Sequence, residues 1–126
     1  MDLSAKYLNF ILILVRDDSK QPQNIRDTVN IIQEHDGMIE SITSTLITAY
    51  FGVPLEQPNS EQMRIDLVKE LSEKKGRDLS IIHGACECPV GTVGNENRKA
   101  YTALLPDYKS KLRQLSSMEF GQVLEI

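Results

Sequence analysis

Three groups of side chains in this 126-residue chain have the types and spacing to do chemistry. His83, Cys86 and Cys88 offer one nitrogen and two sulfur ligands to a soft cation. On an extended strand, a period of two puts Cys86 and Cys88 on one face and His83 on the other. Zinc usually takes four ligands with wider cysteine spacing, and His35 is the only other histidine. The two cysteines therefore read as free thiols packed in a core, and the split across two faces argues against a Cys-His nucleophile pair. The second group is Arg16, Asp17 and Asp18, which end an apolar run over residues 10–15. The third is Arg98, Lys99, Lys109, Lys111 and Arg113, cations able to meet a phosphate if the fold gathers them at one end. A solvated face is the ordinary outcome for such charges. Gly91 and Gly94 read as a hairpin turn needing positive φ rather than as a phosphate cradle. Neither a Gly-x-Ser-x-Gly elbow nor a Walker-type phosphate loop occurs.

The elements that must position these groups follow from the hydrophobic pattern. Residues 7–15 are rich in Ile, Leu, Val and Phe and predict a buried strand. Residues 17–23 are polar, contain Pro22 and read as a loop. Asn24 is a candidate cap for an amphipathic helix over residues 24–35, with Ile25, Val29 and Ile32 on one face and Gly37 closing it. Residues 38–51 carry β-type side chains interrupted at Ser44 and Thr45, which predicts a hairpin. A loop over residues 52–59 leads to a helix opened by Ser60 and ended by Gly76. Its inward face is Met63, Leu67, Val68 and Leu71, with Glu61, Arg64, Lys69 and Glu73 outward. A strand over residues 79–88, a turn over 89–97 and a strand over 99–105 come next. Pro106 suits a first helical turn, with Tyr108, Leu112 and Leu115 at helical spacing, and residues 122–126 read as a last strand. The order β-α-β-β-α-β-β-α-β predicts an α+β fold: a mixed, mostly antiparallel sheet with helices on one face and a ferredoxin-like βαββαβ unit inside it.

Composition sets limits on function. The length suits a single domain over residues 1–126. The formal charge of −4 and the lack of a basic block argue against nucleic acid. Lys74, Lys75 and Arg77 form the densest cationic run, which suits a helix C-terminus. No apolar run reaches transmembrane length, and the start lacks a cationic region leading to a cleavage site, so neither membrane insertion nor a signal peptide is expected. Cys86 and Cys88 are poorly placed for a disulfide, which points to a reducing, cytoplasmic setting.

The motifs in order resemble the class III adenylate/guanylate cyclase catalytic domain along nearly the whole chain. Gly91, Gly94, Arg98, Tyr101 and Thr102 are similar to that family's Gly-x-x-Gly-x-x-x-Arg-x-x-Tyr-Thr element. Phe51, Gly52 and Pro54 resemble the Phe-Gly-x-Pro after its first hairpin, with His35 and Gly37 matching the approach to it. Ile81 and Gly84 resemble its Ile-x-x-Gly strand, and Gly121, Gln122 and Leu124 its closing Pro-Gly-Gln-Ile-Leu strand.

The resemblance implies two metal-holding carboxylates, and the chain departs from it at both. Arg16 stands where the first is expected at the end of the first strand, with Asp17 one position on. That shift turns a strand side chain to the other face. Thr45 stands at the second position, in the hairpin turn. The resemblance also implies an Asn and, four residues later, an Arg on the last helix; the chain has Lys109 and Arg113 there. Pro106 replaces part of a Gly-Asp entry to that helix and removes a backbone donor. The expectation is a catalytically inactive cyclase-like domain, with no metal and no cofactor. It would serve as a regulatory or dimerisation module in signalling, paired with itself or with a related cyclase-like protein. The alternatives are a divergent cyclase converting ATP or GTP through Asp17 or Asp18, and a nucleotide sensor without turnover.

Overall fold

The computed structural model describes residues 2–95 and 98–126. The elements are β1 (Asp2–Val15), α1 (Gln21–Glu34), β2 (Met38–Thr43), β3 (Leu46–Phe51), α2 (Ser60–Lys75), a 3-10 turn (Gly76–Asp78), β4 (Leu79–Asn95), β5 (Arg98–Ala103), α3 (Tyr108–Ser117) and β6 (Val123–Glu125). They form one sheet in the order β2-β3-β1-β4-β5. Every pairing on this path is antiparallel, and β6 adds a parallel pairing to the first half of β4 at Ile81, Ile82 and His83. The α+β class, the mostly antiparallel mixed sheet and the βαββαβ core expected from the pattern are all present.

β1 is central because its apolar run feeds two cores at once. Ile11, Ile13 and Val15 face α1 and α2 and pack with Ile32, Ile47, Phe51, Leu67 and Leu71. Leu8, Phe10 and Leu12 face the other way and pack with Tyr50, Ile82, Cys88, Val90 and Leu115. Leu115 belongs to α3, so the helices do not share one face as the pattern had suggested. With both sheet faces apolar, each needs a cover, and the third helix supplies the second.

Several boundaries shift for local reasons. α1 opens at Gln21 with Pro22 in its first turn, where the missing N–H costs nothing. Asn24 is therefore an interior, buried residue and not a cap; its Oδ1 accepts from Lys75 Nζ at 3.2 Å. β1 begins at Asp2 because residues 2–7 pair with β4, although most of them are exposed and unremarkable in hydropathy. β4 continues through the segment expected to turn and reaches Asn95. Pro89 is tolerated inside it because its carbonyl accepts from Leu104 N at 2.9 Å, so its N faces that side too, where β5 has already ended. The tip expected to turn, residues 96–97, lies outside the described residues. α3 starts two residues after Pro106, behind Asp107 in a left-handed conformation. At the hairpin between β2 and β3, Ser44 has φ 54°, which makes the tight turn its position predicted.

Candidate functional site

The antiparallel pairing of β1 with β3 sets the end of β1 beside the β2–β3 turn. Leu14 lies opposite Leu46, and Val15 N donates to Thr45 O at 2.7 Å. Arg16 therefore follows directly on the residue bonded to Thr45. The side chain of Arg16 is already engaged. Its backbone N donates to Asp78 O at 2.8 Å, and its Nη2 donates to Arg77 O at 2.9 Å. Its guanidinium carbon lies 4.7 Å from the centroid of the Phe120 ring. Asp17 is exposed, and Asp18 accepts from Lys20 N at 2.8 Å, which serves the entry to α1. Among the described residues no three His, Cys, Asp or Glu side chains stand together as a metal site would require. A guanidinium and an uncharged hydroxyl do not fit the pair of divalent cations that the resemblance implies, since hard cations want anionic oxygen.

Lys109 and Arg113 are exposed on α3 at i, i+4 spacing, and α3 covers the sheet face opposite α1 and α2. Lys111, between them in sequence, turns inward; it donates to Pro106 O and sits 5.7 Å from the Phe10 ring. The cations of α3 thus divide between solvent and sheet. The side chains of Arg98 and Lys99 lie outside what the structure describes.

The His-Cys group separates as alternation predicts. Cys88 is buried and Cys86 half-buried in the α3-side core. Burial raises both thiols, that of Cys88 to about 12. His83 points the other way, under α2. There Arg64 Nη1 lies 2.6 Å from His83 Nδ1, Arg64 Nε donates to Asn9 Oδ1 at 2.8 Å, and Arg64 Nη1 donates to Glu125 Oε2 at 3.0 Å. Burial first, and the Arg64 charge second, lower the pKa of His83. Arg64 was expected on the outer face of α2 and is only 3% exposed. The signal was present: Arg64, Leu67, Val68 and Leu71 follow i, i+3, i+4, i+7 spacing, one inward stripe.

A second feature escaped the sequence. β2 carries a register shift at Glu40, between Ile39 and Ser41. The bulge aims Glu40 over the α3-side face, where it accepts from Thr102 Oγ1 at 3.2 Å and Ala103 N at 3.3 Å. Opposite edge strands β2 and β5 are thereby bridged. Beside the bridge lies a cavity of about 280 Å³, lined by Glu40, Tyr50, Thr102, Leu104, Leu105 and Tyr108. Burial, and the hydrogen bond to Glu40, raise the pKa of Tyr50. A bulge one residue long leaves no mark in hydropathy.

The sequence matches no protein-family model and no curated protein. The fold is nevertheless well represented among solved structures. The guanylyl cyclase Cya2 superposes with a TM-score of 0.75 at 16% identity, covering 99% of this chain and 77% of its own. The adenylyl cyclase CyaB from P. aeruginosa gives 0.71 at 18%, with 99% and 79% covered. The non-canonical dimeric guanylyl cyclase domain of the RhoGC fusion protein from the aquatic fungus Blastocladiella emersonii gives 0.69 at 10%, with 98% and 80% covered. The chain has the fold of the nucleotidyl cyclase catalytic domains.

Proposed function

We propose that this chain is a catalytically inactive cyclase-like domain that acts as a regulatory or dimerisation module. The observation that carries the reading is Arg16. At the end of β1, beside Thr45, the chain presents a cation whose guanidinium is bonded to Arg77 O and stacked on Phe120. A fixed positive charge opposes a divalent cation at that place. Loss of metal assistance costs on the order of thousands-fold in rate, about 4 kcal/mol of transition-state stabilisation.

The module pairs with a second copy or with a related cyclase-like protein that supplies the missing groups. The RhoGC cyclase domain, which shares this fold, is solved both as a non-canonical dimer and as a monomer, and exposed Arg113 is the group this chain would lend to a shared site. It works in the cytoplasm, consistent with two free thiols and with the absence, among the described residues, of a helix long and apolar enough to cross a membrane. The test is incubation with Mg²⁺ or Mn²⁺ and ATP or GTP. No cyclic product is expected. Turnover abolished by Asp17→Ala would overturn the reading in favour of a divergent cyclase. Sedimentation over a concentration series tests pairing, and a strict monomer would defeat the homodimer.

The cavity at Glu40 favours a second reading, a nucleotide sensor without turnover. A carboxylate beside an apolar cavity at Leu104, Leu105 and Tyr108 suits a flat ring with hydrogen-bond donors. Calorimetry with ATP, GTP and cyclic nucleotides, with and without Mg²⁺, separates the readings. Metal-independent binding lost in Glu40→Ala favours the sensor, and no binding favours the interaction module.

A further inference from the structure

We propose that buried Arg64 and His83, together with Glu125 at the surface, form a proton-operated latch that holds residues 118–126 on β4 at neutral pH and releases them in mild acid. This strap returns from α3 to the first half of β4. Its backbone is held by Gly121 N donating to Leu79 O at 2.8 Å, Ile81 N to Gln122 O at 3.1 Å, and Ile126 N to His83 O at 2.9 Å. Its side chains add Met118 and Leu124 on the α3-side core and Phe120 under Arg16, while Val123 and Ile126 are 41% and 48% exposed. Among the described residues the strap's salt bridge to the interior is Glu125 to Arg64 at 3.0 Å.

His83 governs that tie. Its Nδ1 lies 2.6 Å from Arg64 Nη1, and a guanidinium can only donate, so Nδ1 is the acceptor and the ring hydrogen sits on Nε2. The groups facing His83 are Arg64 and, farther out, Glu61 from α2, and Glu125 from β6; Asn9 from β1 is uncharged. A proton taken up at Nδ1 removes the acceptor and sets two cations in contact. Arg64 then has to leave, and Glu125 loses its partner. The strap sits directly on this event, because Ile126 is bonded to the His83 carbonyl and Glu125 pairs with His83 in the parallel ladder. The depressed pKa of His83 agrees in sign: the closed state resists the proton and the open state takes it.

Amide hydrogen exchange of the full chain between pH 7.5 and 5.0, corrected for intrinsic rates, tests the latch. Exchange at Ile81, Gly121 and Ile126 should accelerate by up to about tenfold per pH unit below the ordinary histidine pKa of about 6.5. Amides of the β1–β3 ladder should keep their protection. His83→Gln retains an acceptor for Arg64 but takes no proton, so its strap should be indifferent to pH. The proposal is overturned by pH-independent protection in the unmodified chain, by the same acceleration in His83→Gln, or by equal loss across β1. Should that variant fail to fold, NMR titration of the His83 ring decides: its midpoint must coincide with strap opening, and separate midpoints overturn the latch.

Discussion

The guanidinium of Arg16 lies over the ring of Phe120, with 4.7 Å from its central carbon to the ring centroid. The end of β1 is thereby tied to the strap that follows α3, more than a hundred residues later. A position that the resemblance gives to a metal ligand has become a staple between chain segments.

Arg16→Asp should therefore fail to install metal-dependent cyclase turnover, since Thr45 still lacks a charge. It should also lower stability by about 1 kcal/mol through loss of the stacking and the bond to Arg77 O, a fall in Tm of about 4 °C. Thermal melts and a cyclic-nucleotide assay on the same preparation check both halves.

Arg64→Ala should be more costly. It strands Asn9 Oδ1 and His83 Nδ1 beneath α2 and leaves a cavity, whereas the 60%-exposed side chain of Glu125 returns to water. A loss of about 3 kcal/mol is expected from urea unfolding. A change under about 0.5 kcal/mol, the scale of an ordinary surface substitution, would mean that Arg64 behaves as the exposed residue its charge suggests.

Gly84→Ala probes the strap from the other side. A Cβ at Gly84 would clash with the carbonyl oxygen of Ile126, a backbone atom with no side-chain freedom to yield. Exchange at the Ile126 amide should rise at every pH, unlike the acid-dependent opening of the unmodified chain. Unchanged protection would show that the strap can shift without detaching.

The thiols supply a pH test of opposite sign. Burial raises Cys88 to about 12, above its ordinary value of 9.0. A raised folded pKa means stability fully present below pH 9 and lost as pH climbs from 9 towards 12. Cys88→Ser should flatten that alkaline loss in urea titrations. At pH 8 both thiols should react with a disulfide reagent far more slowly in the native chain than in urea.

The positions bearing on the candidate site differ in how far they could be read from the chain. The burial of β1 on both faces followed from an unbroken apolar run, and the hairpin followed from Ser44 and Thr45 between two β-rich segments. The proximity of Arg16 to Thr45 was not legible, because it depends on β3 pairing antiparallel with β1. Pro22 and Pro89 misled because proline marks a break only where a backbone donor is needed. One stands in a first helical turn, and the other turns its N towards a side where β5 has ended.

The sequence by itself determined the alternation of apolar and polar side chains, and with it the element order, the buried first strand and the chemical character of Arg16 and Thr45. Those properties are local: each depends on residue type and on neighbours a few positions away. Only the tertiary structure decided that Arg64 is buried against His83 and Glu125, that Glu40 bridges two sheet edges, and that Arg16 is spent on Phe120. Each joins residues 19 to 104 positions apart, and such pairings exist only once sheet curvature and helix docking have brought distant segments together.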